Sequence, residues 1–387
     1  MVTGNSNQKY LWFLWNVSQR ASHSVFIATD IEKPATQILL MRELTIFALL
    51  LLCFTANAQT PLATNNSSHP DKAYSDCMQN ASRLLDEAFA LMQKNYYRKD
   101  YIDWDSLRVA GRNKLQSRGN CTDAYETINW CFQQMREKHS FIMPTLKAAE
   151  YNNDRSRLLT ETPLNKLVGK IYGEWLEDST AYITIPWVST TDEEICELIA
   201  DSIQQMIALL DTRPINQWIV DIRNNSGGNC WPMIAGAGPL LGEGICGYFI
   251  RNNEKVPISY KNGVASQGKS ARCSVRNPYT LRSSKNKIII LTNNSTSSSG
   301  EIMTLAFKGK SDVFFYGEPT AGYTTANATY TLSDNSMLIL TVCQEADRTG
   351  KVYNGRIFPD VTVASSNTSD TIRDAAIEWL RNVSRER

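Results

Sequence analysis

The spacing of apolar residues changes character along this chain. Between Ala73 and about His139 they recur at helical intervals, with Leu84, Leu85, Ala88, Leu91 and Met92 on one stripe and Tyr125, Ile128, Cys131, Phe132 and Met135 on another. Residues three and four apart share one face of a helix, so each stripe predicts an amphipathic helix with one buried side. Asp123 precedes the second stripe and is placed to cap its first turn. The stretch 73–148 therefore predicts a small N-terminal helical domain.

Beyond about residue 150, short continuous apolar runs alternate with amphipathic stretches. Residues 181–185, 218–222, 287–291 and 313–316 read as strands. The unbroken runs at Trp218-Ile219-Val220 and Ile288-Ile289-Ile290-Leu291 suit strands buried on both faces of a parallel sheet. Helical patterns fall between them at 191–210, near 231–241 and from about Ser299 to Phe307, and a last one covers 370–381. Such alternation predicts βαβ units, hence an α/β core over 149–387.

The N-terminal part reads differently. Met41-Arg42-Glu43 leads into an apolar run from Leu44 to Phe54, and Ala56-Asn57-Ala58 follows as a small-x-small site ahead of Gln59. That arrangement predicts a signal peptide over 41–58, and the run is shorter than the roughly 20 residues a bilayer-spanning helix needs. Residues 1–40 then form an upstream extension and the breaker-rich 59–72 a linker. The expectation is a bacterial exported protein, periplasmic or extracellular, with no stable membrane insertion after cleavage.

Charge narrows the partners. Lys plus Arg (40) nearly balance Asp plus Glu (39), a net charge of +1, which argues against a nucleic-acid partner. Eight of the nine cysteines lie beyond residue 58; in an exported chain they permit disulfides, with buried thiols as the alternative. They form no C-x-x-C pair and have no histidine close by, so neither a metal nor a cofactor is expected.

Two strand–turn–helix junctions carry candidate chemistry. In Val220-Asp221-Ile222-Arg223-Asn224-Asn225-Ser226-Gly227-Gly228, paired glycines after a buried strand let backbone amides turn toward a cavity and hold an oxyanion. In Thr292-Asn293-Asn294-Ser295-Thr296-Ser297-Ser298-Ser299-Gly300-Glu301, several serines precede a helix whose free amides and dipole favour developing negative charge. A serine turn is ordinarily a cap and a glycine pair ordinarily a tight turn, but both here open where α/β sheets bind ligands. A serine nucleophile needs a base. Of three histidines, His23 falls in the extension and His69 in the linker, leaving His139 in the folded body at the expected end of a helix.

These motifs resemble the C-terminal processing peptidases and tricorn-core proteases. The first junction is similar to their D-x-R-x-N-x-G-G segment, and Thr296 to Glu301 to their S-A-S-A-S-E turn. Gly317-Glu318-Pro319-Thr320-Ala321-Gly322 resembles their G-E-P-T-x-G turn, and Phe358-Pro359-Asp360 their late P-D segment. The resemblance implies a spiral ClpP/crotonase-like βαβ core, with Ser298 as nucleophile because it stands three before Glu301. It also implies an oxyanion hole from Gly227, Gly228 and Ser299. Where the processing branch has its lysine base this chain has Tyr323, so the resemblance is to the histidine-using tricorn-type branch and implies His139 as base. That branch orients its histidine through a glutamate shortly before the late P-D segment; here Tyr353-Asn354 occupies that neighbourhood, and Asp347, a few residues upstream, is expected to take the role, with Glu345 and Asn354 as alternatives. The roughly 40 residues from Ser140 to Ala181 are too few for the PDZ module many such peptidases carry.

The expected activity is serine endopeptidase cleavage of a polypeptide through a Ser298 acyl-enzyme. A histidine at a helix C-terminus holds its proton more strongly, so this base is expected to titrate between about pH 6 and 7.5. The competing expectation is a catalytically inactive peptide- or hydrophobic-ligand-binding protein on the same scaffold. A crotonase-type acyl-CoA enzyme shares the architecture but not the serine turn.

Overall fold

The first apolar stripes close a helical layer against a strand from far along the chain. A computed structural model describes residues 70–385 except 150–166, 178, 253 and 284. The expected extension at 1–40, the leader at 41–58 and nearly all of the linker lie outside the described residues. Helices α1 (Pro70–Asn95), α2 (Trp104–Arg118) and α3 (Ala124–Gln134) are followed by the short strand β1 (Phe141–Met143). Leu85, Ala88, Phe89 and Met92 of α1 pack with Ile128, Cys131 and Phe132 of α3, and the cluster is completed by Leu332, Leu338 and Leu340. The helices therefore share their core with the strand region 332–340.

Helix α3 stops short of His139. Arg136 adopts a left-handed φ of 55°, its amide reaching back to the Gln133 carbonyl (3.0 Å) and that of Glu137 to Phe132 (2.9 Å). This is a Schellman closure, which consumes the last carbonyls of the helix. His139 thus sits in a bend before β1, not at a helix end as the sequence pattern suggests. Asp123 occupies the N-cap position of α3 but makes no capping hydrogen bond; it pairs with Arg118 instead.

The α/β part begins with β2 (Gly173–Glu177) and β3 (Thr180–Thr184), then α4 (Glu193–Leu210), β4 (Gln217–Asp221) and α5 (Cys230–Leu241). An antiparallel meander follows: β5 (Gly244–Arg251), β6 (Glu254–Lys261), β7 (Val264–Gln267) and β8 (Ser270–Ser274). The chain returns through β9 (Lys287–Thr292), α6 (Ser299–Phe307) and β10 (Val313–Gly317). It ends with β11 (Thr325–Thr331), β12 (Met337–Ala346), β13 (Val352–Tyr353), β14 (Val361–Thr362) and α7 (Thr371–Arg385).

Six strands form one sheet in the order β14-β10-β9-β4-β3-β2, parallel throughout except for the edge pair β2–β3. Side chains alternate across it. Trp218, Val220, Ile288 and Ile290 face the core made with α4, α5 and α6, while Ile219, Ile289 and Leu291 face Ile372, Ala376 and Leu380 of α7. Burial on both faces explains why the runs are continuously apolar.

A second sheet, of eight strands, runs β1-β12-β5-β6-β7-β8, with β11 and β13 also paired to β12. Its 244–274 part lacks a strong apolar pattern, and Asn262-Gly263 between β6 and β7 is a two-residue hairpin turn, both residues at positive φ (44° and 82°). Cys77 is disulfide-bonded, whereas Cys131, Cys196, Cys230, Cys246, Cys273 and Cys343 are free, buried thiols. Among the described residues no helix is long and apolar enough to cross a membrane.

Candidate active site

Strands β4 and β9 are paired neighbours, with Asp221 opposite Leu291, so the turns leaving their carboxyl ends meet. The serine turn is stitched to the glycine turn: Thr296 Oγ1 donates to the Ile222 carbonyl (3.0 Å), Ser297 Oγ to Ser226 (2.9 Å) and Ser299 Oγ to Gly228 (2.6 Å). Ser295 Oγ turns to Asn294 (3.4 Å). Ser298 Oγ instead lies 3.1 Å from His139 Nε2. The spacing to Glu301 points to Ser298, and the hydrogen bonds likewise set it apart from its neighbours.

Ser298 has the strained backbone φ 52°, ψ −120° at the start of α6, a conformation that persists only where the surroundings hold it. Glu301 supplies that hold. Its buried carboxylate accepts the Ser298 amide (3.0 Å), the Thr320 hydroxyl (2.5 Å) and the amides of Gly322 (2.9 Å) and Tyr323 (2.6 Å). Burial raises its pKa against the lowering effect of these bonds. The G-E-P-T-A-G turn is thereby clamped to the serine turn.

His139 is held from three sides. Its amide donates to Glu137 Oε1 (2.7 Å), its carbonyl accepts from Asn327 Nδ2 (3.0 Å), and its Nδ1 lies 2.9 Å from Thr325 Oγ1. With the proton on Nδ1, Nε2 is free to accept the Ser298 hydroxyl proton. Burial pushes the imidazole down to about 4, opposed by the nearby Glu137 carboxylate. The expected upward shift from a helix end is therefore reversed, because the residue lies beyond the helix and desolvation disfavours the imidazolium. The Tyr323 ring is 5.1 Å from the imidazole, centroid to centroid.

Asp347 does not orient the imidazole. Its carboxylate accepts from the Thr349 amide (2.8 Å), the Thr349 hydroxyl (2.6 Å), the Lys351 amide (3.2 Å) and Tyr353 OH (3.1 Å), closing the turn after β12. Nor do the alternatives. Glu345 is 1% exposed and neither carboxyl oxygen has a partner, while Asn354 Oδ1 accepts from Gln344. The reason is register. Thr325 of β11 stands opposite Gln344, both lining the cleft that holds His139, and the neighbouring Glu345 points to the opposite face of the sheet. Thr325 carried no charge or motif signal, and so sequence reasoning missed it.

The three amides expected to form an oxyanion hole are not equivalent. The Gly227 amide donates to Asn225 Oδ1 (3.0 Å), whereas among the described residues those of Gly228 and Ser299 meet no protein acceptor. Gly227 serves by close approach, since a Cβ there would stand 2.9 Å from both Ser298 Cβ and the Ser299 nitrogen. Beside His139 opens a cleft of about 1000 Å³ lined by His139, Tyr323 and Thr325 among others. Among the described residues no His, Cys, Asp and Glu cluster has the make-up of a metal site.

The model of peptidase family S41 matches residues 179–363, a span containing both turns and Thr325. A nisin-resistance protein of Lactococcus lactis subsp. lactis is 30% identical over 276 residues, which cover 70% of this chain and 79% of that protein. The chain belongs to peptidase family S41. Solved structures share the S41 fold seen here. A lipoprotein from Streptococcus agalactiae superposes with a TM-score of 0.61 at 24% identity, covering 78% of this chain and 96% of its own. A photosystem II D1 C-terminal processing protease gives 0.50 at 14% identity, covering 73% and 93%. The resemblance to processing peptidases and the α/β core expected from the sequence agree with these findings. Membership of S41 supports a peptidase function, a hydrolase acting on a peptide or protein.

Proposed function

We propose that this peptidase is an exported serine endopeptidase in which Ser298 is the nucleophile and His139 its general base. The observation that carries the reading is the 3.1 Å contact between Ser298 Oγ and His139 Nε2, on a serine whose neighbours spend their hydroxyls elsewhere. Nε2 takes the hydroxyl proton as Oγ bonds to the scissile carbonyl carbon. The amides of Gly228 and Ser299 hold the resulting oxyanion. The imidazolium returns its proton to the leaving amine, and water then releases the acyl group from Ser298 by the same proton relay. Thr325 holds the imidazole in place.

Export rests on the charged start, apolar run and small-x-small site between Met41 and Ala58. The similarity to a nisin-resistance protein of a bacterium adds support. N-terminal sequencing of protein from the native host is expected to find a start at or near Gln59; an intact Met1 would exclude the leader.

A second reading is favoured by one observation: His139 has a hydroxyl partner rather than a carboxylate, and its basicity is reduced. On that reading the protein binds peptides or hydrophobic ligands without cleaving them. A fluorophosphonate probe separates the two. Labelling that is abolished by Ser298→Ala and retained by Ser297→Ala supports the peptidase; an unlabelled wild type supports the binding protein.

A further inference from the structure

The cleft beside His139 is lined by an excess of positive charge. Arg98, Arg136, Lys138 and Arg356 face it, against the carboxylates of Asp100 and Glu137. On a chain of net charge +1 this excess is local, not a share of a generally basic surface. Among the described residues none of the four cations forms an ion pair.

The two carboxylates are not equivalent. Glu137 is turned inward: it accepts from Tyr96 OH (2.9 Å), the amides of His139 (2.7 Å) and Ser140 (3.1 Å), and Thr341 Oγ1 (3.1 Å). Its charge is partly spent on internal donors. Asp100 alone is left as an exposed counter-charge.

The cations come from separate parts of the chain that meet in the cleft lined by His139. Arg136 is the left-handed closing residue of α3, three positions before His139. Arg356 lies on a segment packed against the G-E-P-T-A-G turn, close enough that a Cβ on Gly322 would stand 3.1 Å from the Arg356 nitrogen. That turn is the one Glu301 clamps to the nucleophile. A polypeptide lying in the cleft beside His139 therefore runs past guanidinium and ammonium groups that have no carboxylate partner, Arg98 resting over the Tyr101 ring at 5.9 Å.

We infer that the cleft selects acidic polypeptide segments, Asp and Glu side chains flanking the scissile bond being held by Arg98, Arg136, Lys138 and Arg356. This inference rests on the peptidase reading above and adds its substrate class. Guanidinium groups bind carboxylates through paired, charge-assisted hydrogen bonds. A cleft of one sign also focuses its field and concentrates the opposite charge, an effect that salt screens.

The test uses the full protein and three quenched-fluorescent peptide pools of fixed apolar positions, carrying Asp and Glu, Asn and Gln, or Lys at the flanking positions. The expected result is a kcat/KM for the acidic pool about tenfold or more above the neutral pool at low salt, with the Lys pool lowest. The preference should shrink as salt rises to about 0.5 M. Arg98→Gln combined with Arg356→Gln should bring the acidic pool down toward the neutral one. Equal turnover of acidic and neutral pools overturns the inference and leaves the peptidase reading standing. Binding of the same peptides, fluorescein-labelled, to the Ser298→Ala protein is measured alongside. If the wild type cleaves nothing, acid-selective binding sinks the peptidase reading but supports the cleft's preference. Equal binding of acidic and neutral peptides overturns it.

Discussion

His139 Nδ1 and Thr325 Oγ1 stand 2.9 Å apart, so a neutral hydroxyl occupies the place where a serine hydrolase ordinarily puts a carboxylate. A hydroxyl fixes the ring and its tautomer through a directional bond, but it offers no charge to stabilise an imidazolium. Burial then acts without compensation from that side, which accounts for the lowered basicity of His139.

Replacing that hydroxyl should separate positioning from folding. A neutral hydrogen bond contributes about 1 kcal/mol, and a buried group left unpaired costs up to about 3 kcal/mol. Thr325→Val is therefore expected to lower kcat between roughly fivefold and a hundredfold with KM little changed, and Thr325→Ser to recover most of the loss. Thr325→Asp should move the acid limb of the pH profile upward. Steady-state kinetics check all three, and normal turnover by the valine variant would remove Thr325 from the mechanism.

The pH profile follows from His139 being pushed down to about 4. Catalysis needs the neutral imidazole, so kcat/KM is expected to be flat from about pH 6 to 8 and to fall as pH drops toward about 4. Stability carries the same sign. The unfolded chain gains a proton on this residue below about pH 6.5 while the folded one does not, so this contribution is present above that value and is lost as pH falls. An acid limb centred between pH 6 and 7.5 would show that desolvation is not the dominant influence.

Gly228 should not tolerate a side chain. Its φ is 96°, and a Cβ there would stand 1.9 Å from the Val188 carbonyl oxygen, a backbone atom that cannot yield without moving the 186–189 segment. Gly228→Ala is expected to lower the melting temperature by roughly 5 °C or more and to abolish probe labelling. A thermal melt and a labelling gel check it; an unchanged melt would mean the turn adapts freely.

Glu345 should be a source of instability at neutral and alkaline pH. Its carboxyl is buried without a partner, and burial, reinforced by Glu301, raises its pKa well above the ordinary value. The folded state therefore resists ionisation, and stability is lost as pH rises above about 4.5, where the unfolded chain ionises. Glu345→Gln is expected to melt higher than wild type at pH 8, with the difference shrinking near pH 4.5. Melts that differ equally at both values would show that its protonation is not linked to folding.

Much of this protein is written locally in its sequence. Continuous apolar runs at Trp218–Val220 and Ile288–Leu291 reflect burial on both faces of a sheet, and the stripes at Leu84–Met92 and Ile128–Phe132 reflect one-sided burial of helices; both are periodicities of single segments. The glycine pair and serine cluster were legible for the same reason, since each junction is a few consecutive residues at the end of a buried strand. The meander from Gly244 to Ser274 was less so, its short half-exposed strands differing little from loops apart from the Asn262-Gly263 turn. What only the tertiary structure decided depends on register between distant strands. His139 and Thr325 are 186 positions apart, and they meet because β11 pairs with β12 while Asn327 of β11 holds the His139 carbonyl. The same pairing sends Glu345 inward, and a tight turn absorbs Asp347, so proximity in sequence to the expected position misled. Which hydroxyl was free, which glycine amide was already bonded to Asn225 and how strongly His139 was desolvated were likewise set by three-dimensional neighbours. Hydrogen bonding and burial are properties of the assembled environment, and no single segment carries them.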